Sequence, residues 1–188
     1  MPKHLKPAKS KGQTLAEQFL AEERHSLREQ HLPRITRCLR TLSQNEIWWR
    51  PHPTSNSIGN PVLHLAGNVR QWIISGLGGH PNRRERDKEF AALGPIPQRS
   101  LVTLLESTVN EATGVLEHVS ADDLAAEYNI QGFRVTGLIA VAHVAEHFAY
   151  HTGQIIYATK FIRGVDLKFT HLPGENRKTP KARKLSQV

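Results

Sequence analysis

The sequence predicts an all-α protein, an antiparallel four-helix bundle with long connecting loops. Four stretches carry apolar residues at three- and four-residue spacing. Apart from one short, weakly alternating segment, the sequence has no β-strand pattern, and it has no internal repeat. A chain of 188 residues is long enough for one well-buried domain and does not require two. We therefore expect a single helical domain over residues 13–172, between basic tails at residues 1–12 and 173–188.

The first helix is expected over residues 14–42, where leucine, isoleucine and phenylalanine recur at helical spacing. Pro33 lies inside this stretch and should kink or restart the helix, because proline removes a backbone donor and crowds the preceding turn. Residues 43–57 contain Trp48, Trp49 and two prolines, so they cannot form an uninterrupted helix. Paired tryptophans of this kind are typical of packing anchors.

The second helix is expected to begin near Ser57, a plausible N-cap, and to end at the glycines of residues 76–79. His64, Asn68 and Gln71 form a polar stripe among apolar neighbours on this helix. Such a stripe is unusual on a face that packs against a core.

The connection after the second helix is dense in charge. Residues 80–90 mix both signs, which indicates a solvated loop rather than a phosphate site. A third helix follows at about residues 100–118, and residues 120–123 form a cap-like opening to a short turn. The segment 128–135 alternates weakly and contains a glycine, so it is expected to be extended.

The fourth helix is expected to open at Thr136 and to stop at Gly164. It carries three histidines, His143, His147 and His151, at every fourth residue. Two imidazoles at positions i and i+4 lie one turn apart on one face and can reach the same divalent cation. A solvated helix face or a hydrogen-bonded core is the ordinary alternative for such histidines, and a third ligand would have to come from another element.

A different enzyme class also fits a short pattern in this helix. The segment from His143 to His147 matches H-x-x-E-H, the inverted zinc-peptidase pattern, in which the two histidines bind zinc and Glu146 activates water. This interpretation leaves His64 and His151 without a role. In addition, the sequence predicts no β-sheet whose edge strand could bind a peptide substrate. Glu146 also lies about 100° around the helix from His147, which favours a position facing away from a metal.

The net charge and the cysteine content bound the partners and the compartment. The formal charge of +8 lies in the tails, because the body over residues 13–174 holds 16 basic and 16 acidic residues. Phosphate binding requires a basic stripe on a folded face, so we expect no specific nucleic-acid partner. Cys38 is the single cysteine, which excludes an intramolecular disulfide. Neither a signal peptide nor a membrane span is evident, so a cytoplasmic protein without membrane contact is expected.

Two segments taken together resemble the DinB superfamily of four-helix metalloproteins. They are NPVLHLAGN at residues 60–68 on the second helix and HFAYHTGQI at residues 147–155 on the fourth. The opening SNSIGN at residues 55–60 and the stretch from Trp72 to Phe90 are similar to a poorly characterised DinB-like branch. The likeness spans roughly residues 14–165 and implies a bundle of the DinB type.

The resemblance implies a metal site. In that family one histidine of the second helix joins a histidine pair on the fourth, which here gives His64, His147 and His151 as ligands. Three neutral imidazoles leave coordination positions open, as catalytic sites do, and they accept zinc, nickel, iron or manganese. Asn68 and Gln154 each lie one turn along from a ligand histidine and are expected to orient ligands or substrate. His143 is expected to lie behind the ligands or in the core, with a role as a further ligand as the alternative.

The resemblance also implies an activity, because characterised relatives include bacillithiol transferases and mycothiol-dependent maleylpyruvate isomerases. A metal-dependent thiol S-transferase or related hydrolase acting on small molecules is the function expected, with a low-molecular-weight thiol as co-substrate and an electrophile as its partner. The alternative is a non-catalytic, metal-stabilised interaction or stress-response module. Family analogy suggests a homodimer, with the aromatic loop around Trp48 and Trp49 as a candidate surface.

Overall fold

The computed structural model describes residues 12–169, which form helices joined by loops and one β-hairpin. The tails expected at residues 1–12 and 173–188 lie outside the described residues, apart from Gly12. The α-helices are α1 Leu15–His25, α2 Leu32–Thr41, α3 Gln44–Trp48, α4 Gly59–Val69, α5 Arg86–Ala91, α6 Gln98–Leu116, α7 Ala121–Ala125 and α8 Gly137–Arg163. Two π-helical segments, π1 Ser26–His31 and π2 Arg70–Ser75, continue α1 and α4 respectively.

The first long helix runs through α1, π1 and α2 without a break. Thr14 caps it by accepting a hydrogen bond from the backbone N–H of Glu17, whose carboxylate bonds back to Thr14. Pro33 lies in the first turn of α2, directly after π1. A wider π-helical turn therefore precedes the proline, and the helix continues through the position where a kink or a restart was expected.

The core lies between α2, α4, α6 and α8. Both α2 and α4 pack against α6 and α8, and their apolar side chains, such as Ile35, Leu65, Leu105 and Phe148, are fully buried. Each such side chain stabilises the fold by about 1.5–3 kcal/mol relative to an exposed one. Because α4 lies against α8, the polar stripe of α4 faces the histidines of α8.

The predicted ends of α8 are confirmed. Thr136 is its N-cap and accepts a hydrogen bond from the N–H of Ile139, while Gly164 ends it in the left-handed conformation, with φ of 62°. The predicted N-cap of α4 is wrong. Ile58 occupies that position, and Ser57 instead donates its N–H and its hydroxyl to Asn60 Oδ1.

The described residues are mostly helical, as predicted, but they include a small two-stranded sheet between α7 and α8. There β1 Glu127–Ile130 pairs antiparallel with β2 Phe133–Thr136 around a turn at Gln131 and Gly132, both of which have positive φ. The segment expected to be extended is thus a hairpin. The indole N–H of Trp72 donates to Gln131 Oε1 at 3.1 Å, which ties the hairpin tip to π2.

Trp48 is a packing anchor, as predicted. Its indole ring lies so close to Gly59 and Gly94 that a Cβ on either would come within 2.5–2.8 Å of it, and its N–H donates to the carbonyl of Ile96. Trp49 is 45% exposed. In the described part of the chain, no helix has the length and apolar character needed to cross a membrane.

Candidate metal centre

Three histidines from two helices meet between α4 and α8. The Nε2 atom of His147 lies 3.1 Å from Nε2 of His64 and 3.2 Å from Nε2 of His151. One ligand atom from each of the three side chains lies within 4.8 Å of the other two. Their ring centroids are 4.6–5.2 Å apart. The structure therefore brings the three predicted ligands into one group that could hold a metal ion.

The helices place these rings by their regular geometry. His147 and His151 are one turn apart on α8, and Phe148 and Thr152 on the neighbouring face are buried, so the pair is held at the edge of the core. His64 projects from the middle of α4 and is 6% exposed. Val62 and Leu65 are fully buried beside it. The apolar faces of both helices therefore decide where the imidazoles meet.

A buried ion pair lies behind His64. Glu89 Oε2 is 2.9 Å from Nδ1 of His64, and the guanidinium of Arg84 donates to both carboxylate oxygens, from Nε to Oε1 at 2.7 Å and from Nη2 to Oε2 at 2.8 Å. The side chain of Arg84 is 3% exposed and that of Glu89 is 10% exposed. We call these two residues the acid–base clamp.

The acid–base clamp corrects the interpretation of residues 80–90 as a solvated loop. Most of this segment is exposed, but Arg84 and Glu89 point inward, and Gln71 Oε1 accepts from Arg84 Nη1 at 2.9 Å. Gly67 is the sequence signal for these two inward-pointing residues. A Cβ at Gly67 would lie 1.9 Å from Glu89 Oε1, so the glycine inside α4 marks the place where the carboxylate lies against the helix.

Asn60 secures the segment that carries Glu89. Its fully buried side chain donates from Nδ2 to the carbonyls of Glu89 and Ala92, each at 2.9 Å, and its Oδ1 accepts from Ser57 and Arg50. The end of α5 is therefore bound to the first turn of α4, one turn before His64.

The α8 side of the site has weaker support. Nδ1 of His151 is 2.7 Å from Oε1 of Gln154, an exposed side chain one turn further along α8. Nδ1 of His147 is buried and has no hydrogen-bond partner among the described residues. Gln154 thus stands beside a histidine of the group, as expected.

Asn68 and His143 form a second polar layer one turn along from the histidine group. Asn68 Nδ2 is 3.4 Å from Nε2 of His143, and Oδ1 of this buried asparagine has no partner among the described residues. The imidazole of His143 lies against the indole of Trp72, with centroids 4.0 Å apart, and stacks on His147 at 5.5 Å. His143 is therefore next to the group and does not point a ligand atom into it.

The environment keeps the histidines of α8 neutral. Burial, together with the charges of His151, His64, His143 and Arg84, lowers the pKa of His147 to about 3. Burial also lowers the pKa of His143 and of His151. Burial by itself would raise the pKa of Glu89, but hydrogen bonds from Arg84 and His64 outweigh it, and the pKa lies below its ordinary value. The site thus presents the neutral imidazoles of α8 and an ionised carboxylate behind His64.

The peptidase interpretation is not favoured by this arrangement. Glu146 is exposed on α8, and the histidine group includes His64 and His151, which that interpretation leaves unused, while it leaves out His143. The carboxylate nearest the group comes from Glu89, and it approaches the outer nitrogen of His64.

Two solved structures have a fold similar to that of this chain. Its fold is similar to that of a conserved protein from Enterococcus faecalis, with a TM-score of 0.66 and 15% identity over 82% of this chain and 100% of the other. It is also similar to the DinB-like protein YjoA from Bacillus subtilis, with a TM-score of 0.57 and 19% identity over 83% of this chain and 96% of the other. At these identities the likeness establishes the fold alone. No curated protein matches the sequence.

One family model covers most of the chain. The model for the protein of unknown function DUF1572 matches residues 14–176, which includes every residue of the site described above. The likeness to YjoA confirms the DinB-like fold that the resemblance implies. The chain belongs to the DUF1572 family.

Proposed function

We propose that the protein binds one divalent metal ion through Nε2 of His64, His147 and His151. The observation that carries the proposal is the convergence of three Nε2 atoms. The space between these atoms is too small for each nitrogen to carry a proton. Nδ1 of His64 faces a carboxylate, and Nδ1 of His151 faces an amide oxygen, so both rings carry their proton on the outer nitrogen.

The inner nitrogens of His64 and His151 therefore present lone pairs toward Nε2 of His147. At 3.1 and 3.2 Å, facing lone pairs repel unless a proton or a cation lies between them. A neutral His147 with its proton on Nε2 could donate to only one of the two other rings, and the low pKa of His147 opposes a second proton on that ring, so one repulsive contact would remain without a metal. A metal bound at about 2.0–2.1 Å from imidazole nitrogens sets neighbouring ligand atoms roughly 3 Å apart, which matches the observed spacing. Zinc, nickel, iron and manganese are all compatible with three imidazoles.

We propose further that the site transfers a low-molecular-weight thiol to a small electrophile. A bound metal would supply Lewis acidity at an open coordination position, where it would lower the pKa of a thiol. The protein offers no accessible thiol of its own, since its single cysteine, Cys38, is fully buried and burial raises the pKa of that thiol. A nucleophile brought by the co-substrate is consistent with this, and His143 and Asn68 offer polar atoms beside the group for orienting it.

A non-catalytic role is the second candidate, because the three histidines and the acid–base clamp join α4, α5 and α8. A metal bound there would stabilise a DinB-type antiparallel four-helix bundle over residues 13–172 that acts as an interaction or stress-response module. In either case we propose a cytoplasmic protein, consistent with its single, buried cysteine, whose basic tails bind no specific nucleic acid.

Metal analysis followed by a thiol-conjugation assay separates these functions. We expect about one divalent ion per chain in the purified protein, and loss of that ion in the His147→Ala variant. Conjugation of monochlorobimane to bacillithiol, mycothiol or glutathione should be accelerated by the wild-type protein and not by the variant. Bound metal that raises the melting temperature without any rate enhancement would support the interaction module. Absence of bound metal after incubation with each of the four ions would contradict both.

We also propose that the protein is a homodimer, and the exposed face of α8 supports this better than the loop around Trp48. Tyr150, Tyr157 and Phe161 lie on one face of α8 and are 63%, 75% and 70% exposed. Between them, no atom lies within 4 Å of a Cβ placed on Gly153, which leaves room for a second helix. Tyr157→Arg should convert a dimer to a monomer in sedimentation analysis, and a wild-type monomer would contradict the proposal.

A further inference from the structure

We propose that the acid–base clamp, Glu89 with Arg84, is the positioning device of the metal centre, holding His64 in the tautomer whose Nε2 can bind a metal. This inference rests on the proposed metal site and assigns a role to two residues outside the histidine group. It concerns which ring nitrogen carries the proton and how firmly the ring is held.

The position of the carboxylate determines the tautomer. Glu89 Oε2 lies 2.9 Å from Nδ1 of His64, on the side of the ring opposite to the Nε2 that faces His147. An ionised carboxylate only accepts hydrogen bonds, so this contact assigns the proton of the neutral ring to Nδ1 and leaves a lone pair on Nε2. Nη2 of Arg84 also lies 3.0 Å from Nδ1, but it has Glu89 Oε2 at 2.8 Å and the backbone carbonyl of His64 at 3.5 Å as acceptors for its two protons. The same position excludes Glu89 as a metal ligand, because the ring of His64 lies between its carboxylate and the group.

Arg84 makes this acceptor anionic. A lone carboxylate this deeply buried would be strongly destabilising, but the planar guanidinium binds both oxygens of Glu89 in a two-point contact. The remaining terminal nitrogen of Arg84 donates to Gln71 on π2 at 2.9 Å. Three nitrogens of the guanidinium are therefore occupied, and the ion pair has one geometry.

The residues around the Glu89 carboxylate restrict it to one position. Gly67, one turn after His64 on α4, provides the space in which Oε1 lies, and Asn60 holds the backbone carbonyl of Glu89. The acid–base clamp is therefore set by the backbone of α4 as well as by its own ion pair. A carboxylate behind a ligand histidine orients the ring and raises its basicity, and its loss typically costs 10- to 100-fold in metal affinity.

The test compares Glu89→Gln with Glu85→Gln. Both variants replace an acid by an amide of the same shape in the same segment, but Glu85 is exposed and, within residues 12–169, its carboxylate forms an ion pair with exposed Lys88 alone. Zinc affinity, measured by competition with a chromogenic chelator, should fall about 10- to 100-fold in Glu89→Gln and stay within about twofold of wild type in Glu85→Gln. Arg84→Lys, which keeps the charge and loses the two-point contact, should give an intermediate loss.

A second measurement needs neither a variant nor a metal. Long-range nitrogen–proton correlation spectra of the metal-free wild-type protein should show His64 protonated at Nδ1. Protonation at Nε2, or a Glu89→Gln variant that is folded by circular dichroism and binds zinc as tightly as wild type, would overturn the inference. If wild-type protein bound no metal while His64 was protonated at Nδ1, the proposed metal site would fail and the tautomer assignment would stand.

Discussion

The two sides of the histidine group are supported in different ways. His64 on α4 is backed by the acid–base clamp, a charged and buried partner, whereas on α8 His151 contacts an exposed amide and the outer nitrogen of His147 has no partner among the described residues. Charge-assisted hydrogen bonds are roughly twice as strong as neutral ones. The difference indicates that α4 presents a ligand already fixed in orientation, while the pair on α8 depends on an ion to fix it.

The largest expected effect is the loss of metal binding on removal of either kind of ligand. His64→Ala and His147→Ala should each lower zinc affinity by more than the roughly 100-fold expected for an outer residue. The metal-free proteins should differ, because His64→Ala breaks a buried hydrogen bond and costs about 1–3 kcal/mol in the free energy of unfolding. His147→Ala removes a ring whose outer nitrogen has no hydrogen-bond partner among the described residues, so it should cost less. Urea unfolding with chelator present measures this, and equal costs would remove the contrast between the two sides.

The second largest effect is expected when the acid–base clamp behind His64 is displaced and the three histidines are left unchanged. In Gly67→Ala the new methyl group would occupy the place of Glu89 Oε1, so the acid–base clamp must move, and we expect a loss of about 1–3 kcal/mol in the free energy of unfolding. Zinc affinity should fall as well. Gly114→Ala is the matched control, since nothing lies within 4 Å of a Cβ there and alanine should stabilise α6 by about 0.5–1 kcal/mol. Similar behaviour of the two variants would contradict the close packing of Glu89 on α4.

A fall in pH should lower the free energy of unfolding through His147 on α8. Because the pKa of His147 is lowered to about 3 in the folded protein, the unfolded chain, with a histidine pKa near 6.5, takes up the proton first as the pH falls. The stability contributed by the neutral ring is complete above about pH 6.5 and is lost progressively toward pH 3. Urea unfolding of the metal-free protein should therefore show decreasing stability from pH 7 to pH 5, with a shallower slope in His147→Ala. A pH-independent free energy of unfolding over that range would contradict this.

The smallest effect on zinc affinity is expected at Gln154, the uncharged hydrogen-bond partner of His151. Gln154→Ala removes an exposed amide acceptor from His151 and should weaken zinc binding by about 2- to 10-fold, the range of an ordinary hydrogen bond. This loss should be smaller than that of Glu89→Gln measured in the same chelator competition. A larger loss for Gln154→Ala would reverse the ranking of the two sides.

The helices and the three histidines could be anticipated because their signals are local. Apolar periodicity and the residues Thr136 and Gly164 predict α8, and i, i+4 spacing places His147 and His151 together whatever the rest of the fold does. The association with His64 came from motif resemblance, since spacing within one helix says nothing about another. The polar stripe of α4 was the one local sign that this helix faces a site.

The hairpin and the acid–base clamp could not be anticipated in this way. Two strands of four residues carry little alternation, and their pairing depends on a left-handed turn and on contact with Trp72. Arg84 and Glu89 lie among exposed charges of both signs, so composition alone predicts solvent exposure for them. Gly67 was a usable sign, because glycine inside a helix is costly unless something must approach the backbone.

By itself, the sequence determined the long helices, most of their boundaries and the chelating spacing on α8, since each depends on residues within a few turns of one another. Only the tertiary structure decided that α4 lies against α8, that residues 80–90 turn two of their charges inward, and that His64 is held from behind. A buried charge is stable only when its partner is present. Whether that partner lies nearby is a property of packed elements, which no short stretch of sequence contains.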